Sequence, residues 1–152
     1  MTASAARSLA STSMDEPTSR VAVIVVGAHL RGQPLNSQLT DRDATFVRAT
    51  ATAPCYRLFA LDTVPPKPGL VRTEPDDARG AAIEVEVWEL GVAEFGDFVA
   101  QIPAPLCIGR VLLADGAEAS GFLCEPHAIA AAREITQYGG WRAFRSSASD
   151  PS

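Results

Sequence analysis

The chain has 152 residues, 47% of them hydrophobic and 20% charged, with a net charge of −5 at pH 7. That balance gives one globular domain with a real core, and it excludes a disordered chain. The acidic excess argues against nucleic acid as a partner, since phosphate binding needs a basic face. No apolar run approaches the roughly 20 residues of a membrane span. The first twenty residues have no apolar core of the signal-peptide kind, so a cytoplasmic location is expected.

Residues 1–20 are rich in Ala, Ser, Thr and Pro without apolar periodicity and read as a flexible leader. Val21–Val26 is a β-branched apolar run, a buried strand. It breaks at Gly27 and leads through His29, Arg31, Gly32, Gln33 and Asn36, a glycine-containing loop of the kind that presents ligand-facing groups. Residues 34–39 form a short helical turn or an irregular loop. Strands follow at Thr45–Thr52 and Tyr56–Leu61, with a bend at Pro54. VPPKPGL reads as a rigid extended connection, because proline fixes φ and lacks an N–H, and Lys67 within it as solvated. Residues 73–80 are an acidic surface loop.

Ala82–Leu90 alternates strictly, with Ile83, Val85 and Val87 on one face and Glu84, Glu86 and Trp88 on the other. The two carboxylates are either an acid–base pair or the wet face of a sheet. Val92–Ile102 predicts an amphipathic helix stopped by Pro103. Leu106–Ala114 and Glu118–Cys124 are strands of a hairpin turned at Asp115-Gly116. Glu125–Tyr138 predicts a helix opened by Pro126 and closed at Gly139-Gly140. The GWRAF segment then anchors a tail that frays, with 21–145 as the folded domain and 146–152 outside it. Trp88 and Trp141 are expected in the core. Three scattered cysteines, Cys55, Cys107 and Cys124, pack as small hydrophobes. The element order suggests a small mixed α+β barrel with flanking helices. No Rossmann, Walker or zinc-protease motif is present.

From the residues alone His29 is either a structural histidine or a ligand-facing one. His127, beside Pro126, is a capping or surface group. The segments VVGAHLRGQPLNSQLT, TAPCYRLFAL, VPPKPGLVR, GAAIEVEVWEL, IPAPLCIG, GFLCEP and GGWRAF, in that order, resemble the C-terminal domain of allophanate hydrolase. The resemblance spans residues 21–145 and implies a γ-glutamyl cyclotransferase-like fold. In that family an amidase domain converts allophanate to ammonia and N-carboxycarbamate. The C-terminal domain then decarboxylates the latter, leading to a second ammonia and carbon dioxide.

The resemblance makes His29 the general base, suited to the task by a pKa near neutrality. It assigns substrate binding to the loop backbone at Gly27, Ala28 and Leu30. Asn36, Gln38, Tyr56 and Arg57 are candidate substrate contacts, Arg57 as a bidentate carboxylate ligand. Glu86 stands where a glutamate recurs in strands of this fold. Arg31 is a weaker candidate. Val99 stands about where a cyclotransferase has its catalytic glutamate, with Asp97 two residues away, which points away from cyclotransferase activity. The implied partner is a small carboxylate or carbamate substrate, with no metal and no cofactor. A separate amidase is a conceivable partner, and homo-oligomerisation is left open. The competing expectation is a non-catalytic small-acid-binding or assembly module. A His29 and Arg57 sharing one cavity would favour the enzyme, and a buried, satisfied His29 with an exposed apolar patch the module.

Overall fold

The computed structural model describes residues 19–148. Its strands are β1 (Arg20–Val25), β2 (Thr45–Ala51), β3 (Tyr56–Leu61), β4 (Lys67–Arg72), β5 (Glu84–Gly91), β6 (Leu106–Leu112), β7 (Glu118–Cys124) and the short β8 (Arg133–Glu134). The helices are α1 (Ser37–Thr40), α2 (Val92–Ala100) and α3 (Trp141–Ala148). Of the leader and the tail, residues 1–18 and 149–152 lie outside the described residues. The sequence reading has the chain fray from Arg145, but α3 runs on to Ala148.

β1 is the centre of a five-stranded sheet ordered β2-β5-β1-β7-β6. It pairs antiparallel with β5 and parallel with β7. Flanked on both edges, it carries an almost continuous apolar run, as doubly covered strands do. Its residues Val23, Ile24 and Val25 are 1% exposed or less. A second sheet, ordered β4-β3-β8, packs on the first. Tyr56 ties the two together. Its side chain is fully buried, and its hydroxyl accepts the Leu112 N–H at 2.9 Å.

The α+β class is as expected, but the barrel does not close. The outer strands β2 and β6 meet through a single bridge, Thr52 with Leu113. Beyond it the chain bends at Pro54 and enters the other sheet, so the result is two open sheets.

Two further expectations are corrected. VPPKPGL is not merely a connector: Lys67–Arg72 is a strand, and its first four residues are buried. It tolerates Pro68 because it is an edge strand, where one side of the backbone needs no partner. Glu125–Tyr138 is not a helix. It forms two 3-10 turns around β8. The edge of β3 wins this segment: Ile135 N–H donates to the Leu58 carbonyl at 2.7 Å, and the Leu58 N–H donates to Thr136 Oγ1 at 2.9 Å. Unpaired buried strand groups are costly enough to override a helical pattern.

β5 alternates as predicted, yet both of its faces are covered. Trp88 is 4% exposed and packs edge-on against Phe46. Trp141 is 2% exposed, so both indoles are core residues. Cys55 and Cys124 are buried and Cys107 half-buried, all three as free thiols. Burial pushes the Cys124 thiol up to about 11, which makes it inert at neutral pH.

Gly27 follows β1 and abuts Pro68 of β4: a Cβ there would overlap the Pro68 ring carbons Cδ and Cγ. Gly27→Ala should therefore destabilise the protein by about 1–3 kcal/mol, the cost of overpacking. Urea unfolding at neutral pH measures it. Tyr56→Phe takes the acceptor from the half-buried Leu112 N–H and should cost about 1 kcal/mol in the same experiment.

Candidate functional site

The loop after β1 is a compact turn built by its own backbone. Leu30 N–H donates to the Gly27 carbonyl at 3.0 Å and Leu35 N–H to the Ala28 carbonyl at 2.8 Å. Asn36 Nδ2 donates to the His29 carbonyl at 2.8 Å, so Asn36 braces the loop from outside. Leu30 is fully buried in the core.

His29 is 5% exposed. Its ring stacks on Phe122 of β7 with centroids 4.9 Å apart and meets Phe98 of α2 edge-on at 5.2 Å. Its Nε2 lies 2.8 Å from Gln38 Oε1. A carbonyl oxygen only accepts, so Nε2 carries the proton and Nδ1 is the basic nitrogen. Burial lowers the pKa of the imidazole from its ordinary 6.5; the Gln38 bond opposes this, and the charge of Lys67 adds to it. At neutral pH His29 is therefore an uncharged base.

Opposite stands Lys67, only 6% exposed. Its one polar contact is long, Nζ to the Pro65 carbonyl at 3.5 Å. Among the described residues no carboxylate pairs with it. Buried cations ordinarily have such a partner, and its absence makes this ammonium available to an anion.

His29, Gln38 and Lys67, with Gln101, Ile102 and Phe122, line a cavity of about 210 Å³. A narrower recess of about 10 Å³ shares His29, Lys67 and Phe122 and is walled by Gly27 and Ala28. Among the described residues no protein acceptor is found for the amide N–H groups of Ala28 and His29, and both residues line this recess. A wider groove of about 350 Å³ passes Leu61, Asp62 and His127. It holds no buried cation, and its histidine is exposed, 3.4 Å from Glu125.

Of the predicted residues, His29 and Gln38 line the cavity and Gly27 and Ala28 the recess that shares His29 with it, with Leu30 and Asn36 behind them. Tyr56, Arg57 and Glu86 are elsewhere. Arg57 is bonded bidentately to Glu134, at 2.9 and 2.7 Å. Glu86 is fully buried but not on a wet face, and it is saturated by Arg31, Trp88 and Arg142. Arg31 also stacks over Phe46 at 3.8 Å. Asp97 pairs with Arg42 at 2.8 Å on the surface. Among the described residues no cluster of three His, Cys, Asp or Glu side chains could hold a metal. None of the helices described is long and apolar enough to cross a membrane.

Lys67 is the residue that sequence reasoning missed. One signal pointed to it: among 13 basic residues it is the sole lysine. Lysine is a compact ammonium with three rotatable donors on a flexible stem, where arginine's planar fork is the usual choice for a buried ion pair.

The family profile for the allophanate hydrolase C-terminal domain matches residues 21–146. The urea amidolyase of Saccharomyces cerevisiae is 41% identical over 133 residues, which are 85% of this chain and 7% of that protein. The chain thus spans less than a tenth of the curated relatives it matches. In three dimensions it is similar to Kluyveromyces lactis urea amidolyase, with a TM-score of 0.80 and 38% identity over 86% of this chain and 8% of that one. It is also similar to a protein specific to uropathogenic Escherichia coli, with a TM-score of 0.77 and 34% identity over 84% of this chain and 97% of that one. A γ-glutamyl cyclotransferase, at 11% identity and a TM-score of 0.51 over 70% of this chain and 67% of that one, shares the fold alone. The chain belongs to the allophanate hydrolase C-terminal domain family.

Proposed function

We propose that this chain removes one carboxyl group from N-carboxycarbamate, or from a related small carboxylated amide, without a cofactor. The observation that carries the reading is the pairing of an unpartnered buried lysine with a buried uncharged histidine in one small cavity. A dianion with two planar carboxylates fits those groups. Lys67 neutralises one end, and the Ala28 and His29 amides offer donors to the other. His29 moves the proton. In the hydrolytic form of the step, water adds to one carboxyl carbon and His29 Nδ1 takes its proton. The C–N bond breaks with its electron pair on nitrogen, and the proton passes to that nitrogen. The balance is ⁻OOC–NH–COO⁻ + H₂O → ⁻OOC–NH₂ + HCO₃⁻. A separate amidase is the natural source of so short-lived a substrate.

A second reading, a module that binds a small acid without turning it over, is favoured by two observations. Arg57 is bound to Glu134 and does not line the cavity of His29. His29 is buried and already hydrogen-bonded to Gln38. The apolar patch that this reading also calls for is not seen among the described residues, whose exposed large hydrophobics are the scattered Val47, Val64 and Val92.

A separately purified amidase acting on allophanate, with ammonia counted at early times, decides between the two. The chain should accelerate release of the second ammonia, and His29→Ala should abolish the acceleration. Lys67→Met should raise KM roughly 30-fold or more, the cost of losing a desolvated charge partner. A rate equal to the uncatalysed background overturns the catalytic reading. In pH profiles, kcat/KM should hold as pH falls past 6.5 and drop only as His29 protonates at its lowered pKa. The sign for stability is the same. The unfolded chain takes up the proton first, so the contribution of buried neutral His29 is full above 6.5 and is lost as pH falls below it.

A further inference from the structure

Glu86 is a carboxylate with no exposed surface, held between the centre of the sheet and the C-terminal helix. Oε1 accepts from the Arg31 N–H at 3.0 Å and from Trp88 Nε1 at 3.1 Å. Oε2 accepts from Arg31 Nε at 3.1 Å and from Arg142 Nη2 at 2.8 Å. Burial pushes this carboxyl up, but the four donors together hold it below its ordinary value. The same Arg142 nitrogen donates to the Arg31 carbonyl at 2.7 Å. Both backbone groups of Arg31 are thus fixed by the pair, two residues beyond His29. Arg142 is itself placed by the join of α3 to β5, where Glu84 N–H donates to the Gly139 carbonyl at 2.8 Å.

We infer that Arg142 is a positioning residue: from α3 it clamps the far end of the loop, through Glu86 and the Arg31 carbonyl, and so fixes His29 against Gln38 and Phe122. A loop held at Gly27 by Pro68 and at Arg31 by this clamp has no slack between the two fixed points. Releasing the second point lets water reach the imidazole. The inference rests on the decarboxylation reading for its effect on turnover, but not for its effect on His29.

The chain contains two histidines, and His127 is exposed, so the ring resonances of His29 are readily followed by NMR. Arg142→Met removes the clamp while keeping the aliphatic stem that packs on the surface. Its His29 titration midpoint should rise toward the ordinary imidazole value, since desolvation is the main cause of the depression. Turnover should fall roughly tenfold or more with a smaller change in KM, as expected for a misplaced proton carrier. Arg142→Lys, whose single ammonium can serve both acceptors, should restore both. Glu84→Gln, which touches Arg142 at 3.5 Å but not the loop, should leave the midpoint in place. An unmoved His29 midpoint in folded Arg142→Met overturns the inference, whatever the activity. An inactive wild type whose midpoint still moves in the variant overturns the decarboxylation reading alone.

Discussion

The contact between Gly27 and Pro68 is the constraint on which the site depends. It lets the loop that leaves the central strand lie directly on the Pro68 ring of the second sheet's edge strand, with no side chain on the loop's side of the contact. His29 comes from the first element and Lys67 from the second, only because the two backbones approach so closely. Glycine is the residue that permits this. The sheets supply rigidity on either side: Tyr56 bridges them through its hydroxyl, and β1 is paired along both edges.

The site is built on an imbalance of charge. The protein is acidic overall, and Arg57, Arg142 and Arg42 each bond a carboxylate partner. The lone lysine is buried where, among the described residues, no carboxylate answers it. Desolvating a cation without a partner is unfavourable, and a fold tolerates it most readily where a ligand supplies the missing charge. The depressed basicity of His29 comes first from its own burial, and the neighbouring ammonium adds to it by resisting a second positive charge.

The sequence displayed its local features plainly and its long-range partners hardly at all. Apolar runs marked β1, β3 and the hairpin strands, and strict alternation marked β5, because those patterns reflect each strand's own two faces. The placement of Glu86 depended on Arg142, fifty-six positions away, and nothing in the alternation separates a wet carboxylate from one capped by a distant helix. Arg57 and Glu134 conceal each other in the same way. The Pro-flanked strand β4 and the unwound stretch after Pro126 were decided by sheet edges that needed partners. The loop residues Gly27, Ala28 and His29 were legible because they are contiguous, and Gln38 because it follows only nine positions after His29. Lys67 was not, because its neighbours in sequence say solvent while its neighbours in space say core.

The parallel pairing at the middle of the sheet also bears on how the protein reaches its native state. β1 opens the folded region, yet its partner on one side is β7, with Val23 opposite Ser120. Contacts between segments so remote in sequence carry a large loop-closure cost and slow folding. Until the last third of the chain has left the ribosome, the most apolar strand of the molecule has an open edge. During that interval β1 is the segment most exposed to pairing with another chain. The strand that positions the His29 loop in the folded protein is thus also the one most at risk of mispairing before the fold is complete.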